Sequence, residues 1–128
     1  MTETVFVYGS LKEGFHNHAV MDRARGKLIR TGITLPEYDM ISFGAYPGVL
    51  AGGECVIKGE VYEVEDIGPL DRLEGHPTFY ERRIVNIACK DFIKAWMYVL
   101  PREAYGDYFD NFGIKTEYNV KEWVGRNM

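Results

Sequence analysis

ECVIKGEVYEV, residues 54–64, reads as one long β-strand with a glycine inside it. Glycine within a strand marks a bend or a close backbone approach, so a bend is expected at Gly59. The neighbouring segments are also strands. Thr4 to Tyr8 is short and β-rich, as a buried strand would be. From Gly26 to about Leu50, β-branched residues, aromatics, glycines and two prolines predict two strands around an irregular FGAYPG segment. Gly52-Gly53 marks a turn. Tyr80 to Cys89 and Phe92 to Leu100 predict a hairpin turning at Lys90-Asp91. Helical signals are few and short: Asn17 to Arg23, with Asn17 as cap, and Gly68 to Leu73. The fold class expected is α+β, a mixed and strongly curved sheet or barrel with a few short helices.

The chain has 128 residues, which fits a single domain spanning 1–128, and no internal repeat or low-complexity linker interrupts it. At this size roughly two thirds of the unfolded surface can be buried, so neither disulfide nor metal is needed for stability. Residues 101–128 carry six aromatics and are expected to pack as a tail on the domain. In that tail Asn119-Val120-Lys121-Glu122 has the form of a capping box, and Val120, Trp123 and Val124 would share a helical face. The net charge of -4 argues against nucleic-acid binding. No run reaches the ~18 apolar residues of a membrane helix, and no signal peptide is visible. Cys55 and Cys89 are expected as buried thiols in a reducing compartment, which places the protein in the cytoplasm.

The segment IGPLDRLEGHPTFYERR, residues 67–83, holds the sharpest chemical signal. On a helix, Ile67, Leu70 and Glu74 form one stripe with Leu73 beside them, while Asp71 and Arg72 point elsewhere. Gly75 can end that helix in a left-handed conformation, and Pro77 prevents its continuation. Glu74 is then a carboxylate on the apolar face at the helix C-terminus. Burial and the helix dipole would both raise its pKa, which suits a general base near neutral pH. Periodicity alone leaves open that Glu74 merely snorkels at a frayed helix end.

The stretch VFVYGSLKE, residues 5–13, is a strand that stops at a turn of Tyr8, Gly9, Ser10 and Leu11. Gly9 lets the backbone approach another molecule closely, and the N–H groups of Gly9, Ser10 and Leu11 can form an anion-binding concavity. An ordinary turn after a strand would have the same sequence. Phosphate-loop patterns are absent. His16 and His18 have the spacing of two metal ligands in an extended chain but lack a clear third, so no metal or cofactor is expected. Neither cysteine sits on an activating turn, so a cysteine nucleophile is not favoured.

Taken in order, VFVYGSLKEGFHNH, Tyr46-Pro47, GEVYEV and LDRLEGHPTFYERRIV resemble the γ-glutamyl cyclotransferase-like superfamily over about residues 4–99. The resemblance is nearest to the γ-glutamylamine cyclotransferases and their small bacterial and plant relatives. It implies a cyclising enzyme that turns a small-molecule γ-glutamyl amide into 5-oxoproline and a free amine. It places the catalytic glutamate at Glu74 and the substrate-holding turn at Tyr8, Gly9, Ser10 and Leu11, with Ser10 where many relatives carry threonine. Tyr80, six residues after Glu74, is a further substrate-binding candidate, although a core tyrosine is the alternative. A binding module that keeps the pocket without turnover is the rival reading. A glutamate retained at position 74 argues against it. The leaving group and the oligomeric state are not legible in the sequence.

Overall fold

The computed structural model describes residues 2–125, so residues 126–128 of the expected tail lie outside the described residues. The elements run β1 (Glu3–Val7), α1 (Val20–Arg23), β2 (Lys27–Thr34), β3 (Tyr38–Ser42), β4 (Pro47–Ala51), β5 (Val56–Val64), α2 (Gly68–Glu74), β6 (Glu81–Ala88), β7 (Phe92–Val99), α3 (Arg102–Tyr105), β8 (Ile114–Glu117) and β9 (Val120–Trp123). The main sheet has the order β1-β7-β6-β2-β5-β9-β8, and β1 also pairs with β5. That extra pairing closes β1, β7, β6, β2 and β5 into a barrel-like ring of mixed strands. β1 runs parallel to β7 and antiparallel to β5. β3 and β4 form a separate hairpin.

β1 is the hub because its alternate residues enter two different cores. Phe6 and Tyr8 join Val61, Val85, Ile87, Ala95 and Met97, drawn from the other barrel strands. Val5 and Val7 join Val20, Met21 and Leu70 on the two helices. A strand covered on both faces needs an apolar run rather than an alternating one, and VFV supplies it. Gly59 lies where β5 hands over from β9, paired at Val56–Ile57, to β1, paired at Glu60–Val64. A Cβ on Gly59 would strike the Val7 carbonyl and the Phe6 ring, so glycine is required by close approach there.

Several sequence expectations change. Residues 26–50 hold most of three strands, not two, because β3 and β4 pair across the irregular Phe43–Tyr46 segment. The first helix is only Val20–Arg23, and Asn17 does not cap it; its side chain donates to Ser10 Oγ at 2.9 Å. The capping-box segment is a strand. Tyr118 adopts a positive φ of 55°, the chain reverses, and β9 pairs with β8 and in parallel with β5. An open stretch of β5 edge offers more hydrogen bonds than a single turn of helix with no length to propagate. The β6–β7 turn is three residues, Cys89 to Asp91. Both cysteines are free and half-buried rather than buried.

Candidate active site

The C-terminal end of β1 opens into a cavity of about 250 Å³. The turn Tyr8–Leu11 forms one part of its wall, Tyr46 and Pro47 another, and the end of α2 with Phe79 and Tyr80 a third. All six residues singled out in the sequence, Tyr8, Gly9, Ser10, Leu11, Glu74 and Tyr80, line it. Asn17, Tyr46, Pro47, Phe79 and Tyr98 line it too and were not singled out as contacts. Asn17 and the Tyr46-Pro47 pair carry the family resemblance; Tyr98 sits in the middle of an ordinary strand and has no signal of its own.

Glu74 reaches the cavity because α2 ends as its sequence dictates. His76 N–H donates to the Asp71 carbonyl at 2.9 Å and Gly75 N–H to the Arg72 carbonyl at 3.3 Å, the paired bonds of a Schellman turn, with Gly75 at φ 66°. Leu70 on the same helix is fully buried and sets the rotation of the helix. Burial pushes the Glu74 carboxyl from its ordinary 4.5 up to about 7, and burial alone is the cause. Among the described residues no donor or cation pairs with the carboxylate. Its charge acts on the Tyr8, Tyr80 and Tyr98 hydroxyls around it and helps raise their pKa values, after burial.

The turn is tied from outside. Lys12 N–H donates to the Gly9 carbonyl at 3.1 Å and Asn17 N–H to the Ser10 carbonyl at 3.0 Å. His18 Nδ1 lies 3.0 Å from the Leu11 carbonyl and so carries the proton on that nitrogen. All three carbonyls are therefore committed, while the N–H groups of Gly9, Ser10 and Leu11 make no hydrogen bond among the described residues. This leaves the turn with a surplus of donors. The reason for Gly9 differs from expectation. Its φ is not positive, and a Cβ would lie 2.8 Å from Pro47 Cγ and Cδ, so glycine makes room for the proline ring.

Two tyrosines are occupied. Tyr80 donates to the Pro47 carbonyl at 2.6 Å, and Tyr8 to the Tyr98 carbonyl at 2.7 Å. Pro47 is thus held from two sides, by Gly9 and by Tyr80. Asp71, read as facing away, accepts from Tyr98 Oη at 2.7 Å and from Arg82 Nε at 2.9 Å. Neither Arg82 nor Arg83 lines the cavity; Arg83 pairs with Glu81. Histidines 16 and 18 are joined by no further ligand, and no group of three or more His, Cys, Asp or Glu side chains suited to a metal occurs among the described residues.

The fold is a closed mixed barrel whose first strand ends at a cavity that also holds Glu74. Residues 5–120 match the family described as gamma-glutamyl cyclotransferase, AIG2-like. The chain belongs to that family and is an enzyme of cyclotransferase type. It is 39% identical over 121 residues, 87% of this chain and 99% of the relative, to a Methanocaldococcus jannaschii protein provisionally named a gamma-glutamylcyclotransferase. It is 36% identical over 130 residues, 94% of this chain and 82% of the relative, to the gamma-glutamylaminecyclotransferase of Rattus norvegicus. The crystal structure of a mouse AIG2-like protein superposes with a TM-score of 0.70 at 26% identity, over 77% of this chain and 76% of that one. No helix among the described residues is long and apolar enough to cross a membrane.

Proposed function

We propose that this enzyme cleaves γ-glutamyl amides by cyclisation, releasing 5-oxoproline and a free amine, with Glu74 as general base and then general acid. The observation that carries the reading is the juxtaposition of an unpaired carboxylate with a pKa near 7 and a turn of unused N–H donors in one cavity. The substrate's own α-amine is the nucleophile. At neutral pH it is mostly an ammonium, and Glu74 accepts its proton. The freed amine nitrogen attacks the γ-carbonyl carbon, forming a C–N bond and an oxyanion. The new ring nitrogen still carries two hydrogens and gives one up to become the lactam N–H. Collapse of the oxyanion breaks the original amide C–N bond, and Glu74 returns its proton to the departing nitrogen. The proton from the ring nitrogen ends on the released amine, which leaves as an ammonium. Ring closure within one molecule supplies roughly 7–11 kcal/mol when the reacting conformer is held. The N–H groups of Gly9, Ser10 and Leu11 bind the α-carboxylate, the oxyanion, or both. Neither a covalent enzyme intermediate nor an activated serine or cysteine is required.

The test is a mass-spectrometric screen for 5-oxoproline with a panel of γ-glutamyl compounds, run with the wild type and Glu74→Gln. Acid–base assistance typically contributes ~10²–10⁴ in rate, so Glu74→Gln should lose at least that much while still binding substrate. Wild-type kcat/KM should show an acidic limb near pH 7 that the variant lacks. A folded Glu74→Gln protein that keeps most of its rate would remove Glu74 from the mechanism.

A further inference from the structure

The cavity has one face that the proposed chemistry does not use. Tyr46 and Phe79, which line it, belong to an aromatic cluster centred on Phe43. The Phe43 ring lies 5.2 Å from Tyr46, 5.9 Å from Phe79, 5.7 Å from Tyr105 and 5.3 Å from Tyr108, centroid to centroid. Tyr46 is 36% exposed and Leu73, also in the lining, is 40% exposed. Both are large side chains left partly uncovered in the wall of the cavity. Among the described residues lining the cavity, Glu74 is the one formal charge, and no lysine, arginine or histidine accompanies it.

This distribution bears on what is attached to the γ-glutamyl group. The donors of the turn are taken, on the reading above, by the glutamyl α-carboxylate or the oxyanion. An amino-acid or peptide leaving group would bring a second carboxylate beside Glu74 with no cation to receive it. Burying a charge without a partner is costly, and like charges raise the cost. An apolar leaving group instead covers Leu73 and the aromatic rings, with favourable edge-to-face or stacked contact for a ring.

Building on the proposed cyclisation, we infer that the preferred substrates are γ-glutamyl amides of uncharged apolar amines, alkyl and above all arylalkyl, seated against Tyr46, Leu73 and Phe79. These three residues are then the specificity determinants of the leaving-group side.

The test uses the full chain and four probes: γ-glutamylbenzylamide, γ-glutamylethylamide, γ-glutamylglycine and the mono-γ-glutamyl amide of 1,4-diaminobutane, each assayed by 5-oxoproline release. The benzylamide should exceed the ethylamide in kcat/KM by about tenfold or more, as expected for added apolar contact in a pocket. γ-Glutamylglycine should be the poorest. Tyr46→Ala and Phe79→Ala should each shrink the benzylamide-to-ethylamide ratio. Leu73→Lys should raise γ-glutamylglycine relative to the benzylamide, because it supplies the missing cation. Ratios between substrates within one variant cancel any general loss of activity or folded fraction. Tyr46 and Leu73 are partly exposed, so their variants carry the test if Phe79→Ala fails to fold. A preference for γ-glutamylglycine or for the diaminobutane amide would overturn the inference, as would unchanged ratios in the folded variants. Release from all four at equal rates overturns it while leaving the cyclisation standing. No release from any overturns both.

Discussion

At the scale of single residues, the site joins a carboxylate that is comfortable with a proton to a turn that has donors to spare. The raised pKa of Glu74 has a consequence for stability as well as rate. The folded protein binds this proton more tightly than the unfolded chain does, so stability declines as pH rises from about 4.5 to about 7. At one pKa unit per ~1.4 kcal/mol the loss is at most about 3.5 kcal/mol. Glu74→Gln should therefore gain stability relative to wild type at pH 8 and not at pH 4, measured by urea unfolding at both. A pH-independent difference would show that the carboxyl is not buried against its charged form. Gly9 and Ser10 separate by mechanism. Ser10→Ala loses the acceptor of the Asn17 amide, a neutral hydrogen bond worth ~0.5–1.5 kcal/mol, and keeps its N–H, so kcat/KM should fall by about tenfold at most. Gly9→Val drives a side chain into Pro47, whose carbonyl also holds Tyr80, and should be far more damaging. Steady-state kinetics with circular dichroism as a folding check decides between them. A dead Ser10→Ala beside an active Gly9→Val would make the hydroxyl the working group.

At the scale of elements, α2 and its terminator act as one device. The helix, the Schellman turn at Gly75 and the return to Tyr80, whose N–H donates to the Glu74 carbonyl at 3.2 Å, bring Glu74, Phe79 and Tyr80 to the same cavity. Gly75→Ala puts a Cβ 3.3 Å from Phe79 Cβ in a left-handed conformation. The strain of that conformation is roughly 1–2 kcal/mol, so a fall of several degrees in Tm is expected, with kcat reduced because Glu74 shifts. An unchanged Tm would mean that the turn is not held as described. This element was legible in the sequence because its signals are local: an apolar i, i+3 spacing, a glycine and a proline within eleven residues. β9 was not. Its local signal, Asn119 with Glu122 three residues on, favours a helix start, and the partner that overrules it is the edge of β5, more than fifty residues away in the chain.

At the scale of the whole molecule, β9 reaches the turn that follows β1. Lys12, the residue after the turn, is buried and donates from Nζ to the Trp123 carbonyl at 2.7 Å, and its ammonium sits 4.8 Å from the Phe15 ring centroid. Trp123 is itself buried in the barrel-side core with Ile114. Trp123→Ala should cost about 3–5 kcal/mol in urea unfolding, since it empties a large core position. It should also raise KM by loosening the anchorage of Lys12. A loss of stability with unchanged kinetics at low temperature would separate the tail from the site.

The sequence by itself determined the strand-rich class, the end of α2, the carboxylate at 74 and the bare turn after β1, because each rests on neighbours within one turn or one strand. Only the tertiary structure decided that the sheet closes through β1 and β5, that Gly9 answers to Pro47, that Tyr8 and Tyr80 spend their hydroxyls on backbone carbonyls, and that an aromatic wall backs the cavity. Those contacts join residues tens of positions apart. No periodicity encodes a partner, and closure of the barrel depends on pairings between strands far apart in the chain.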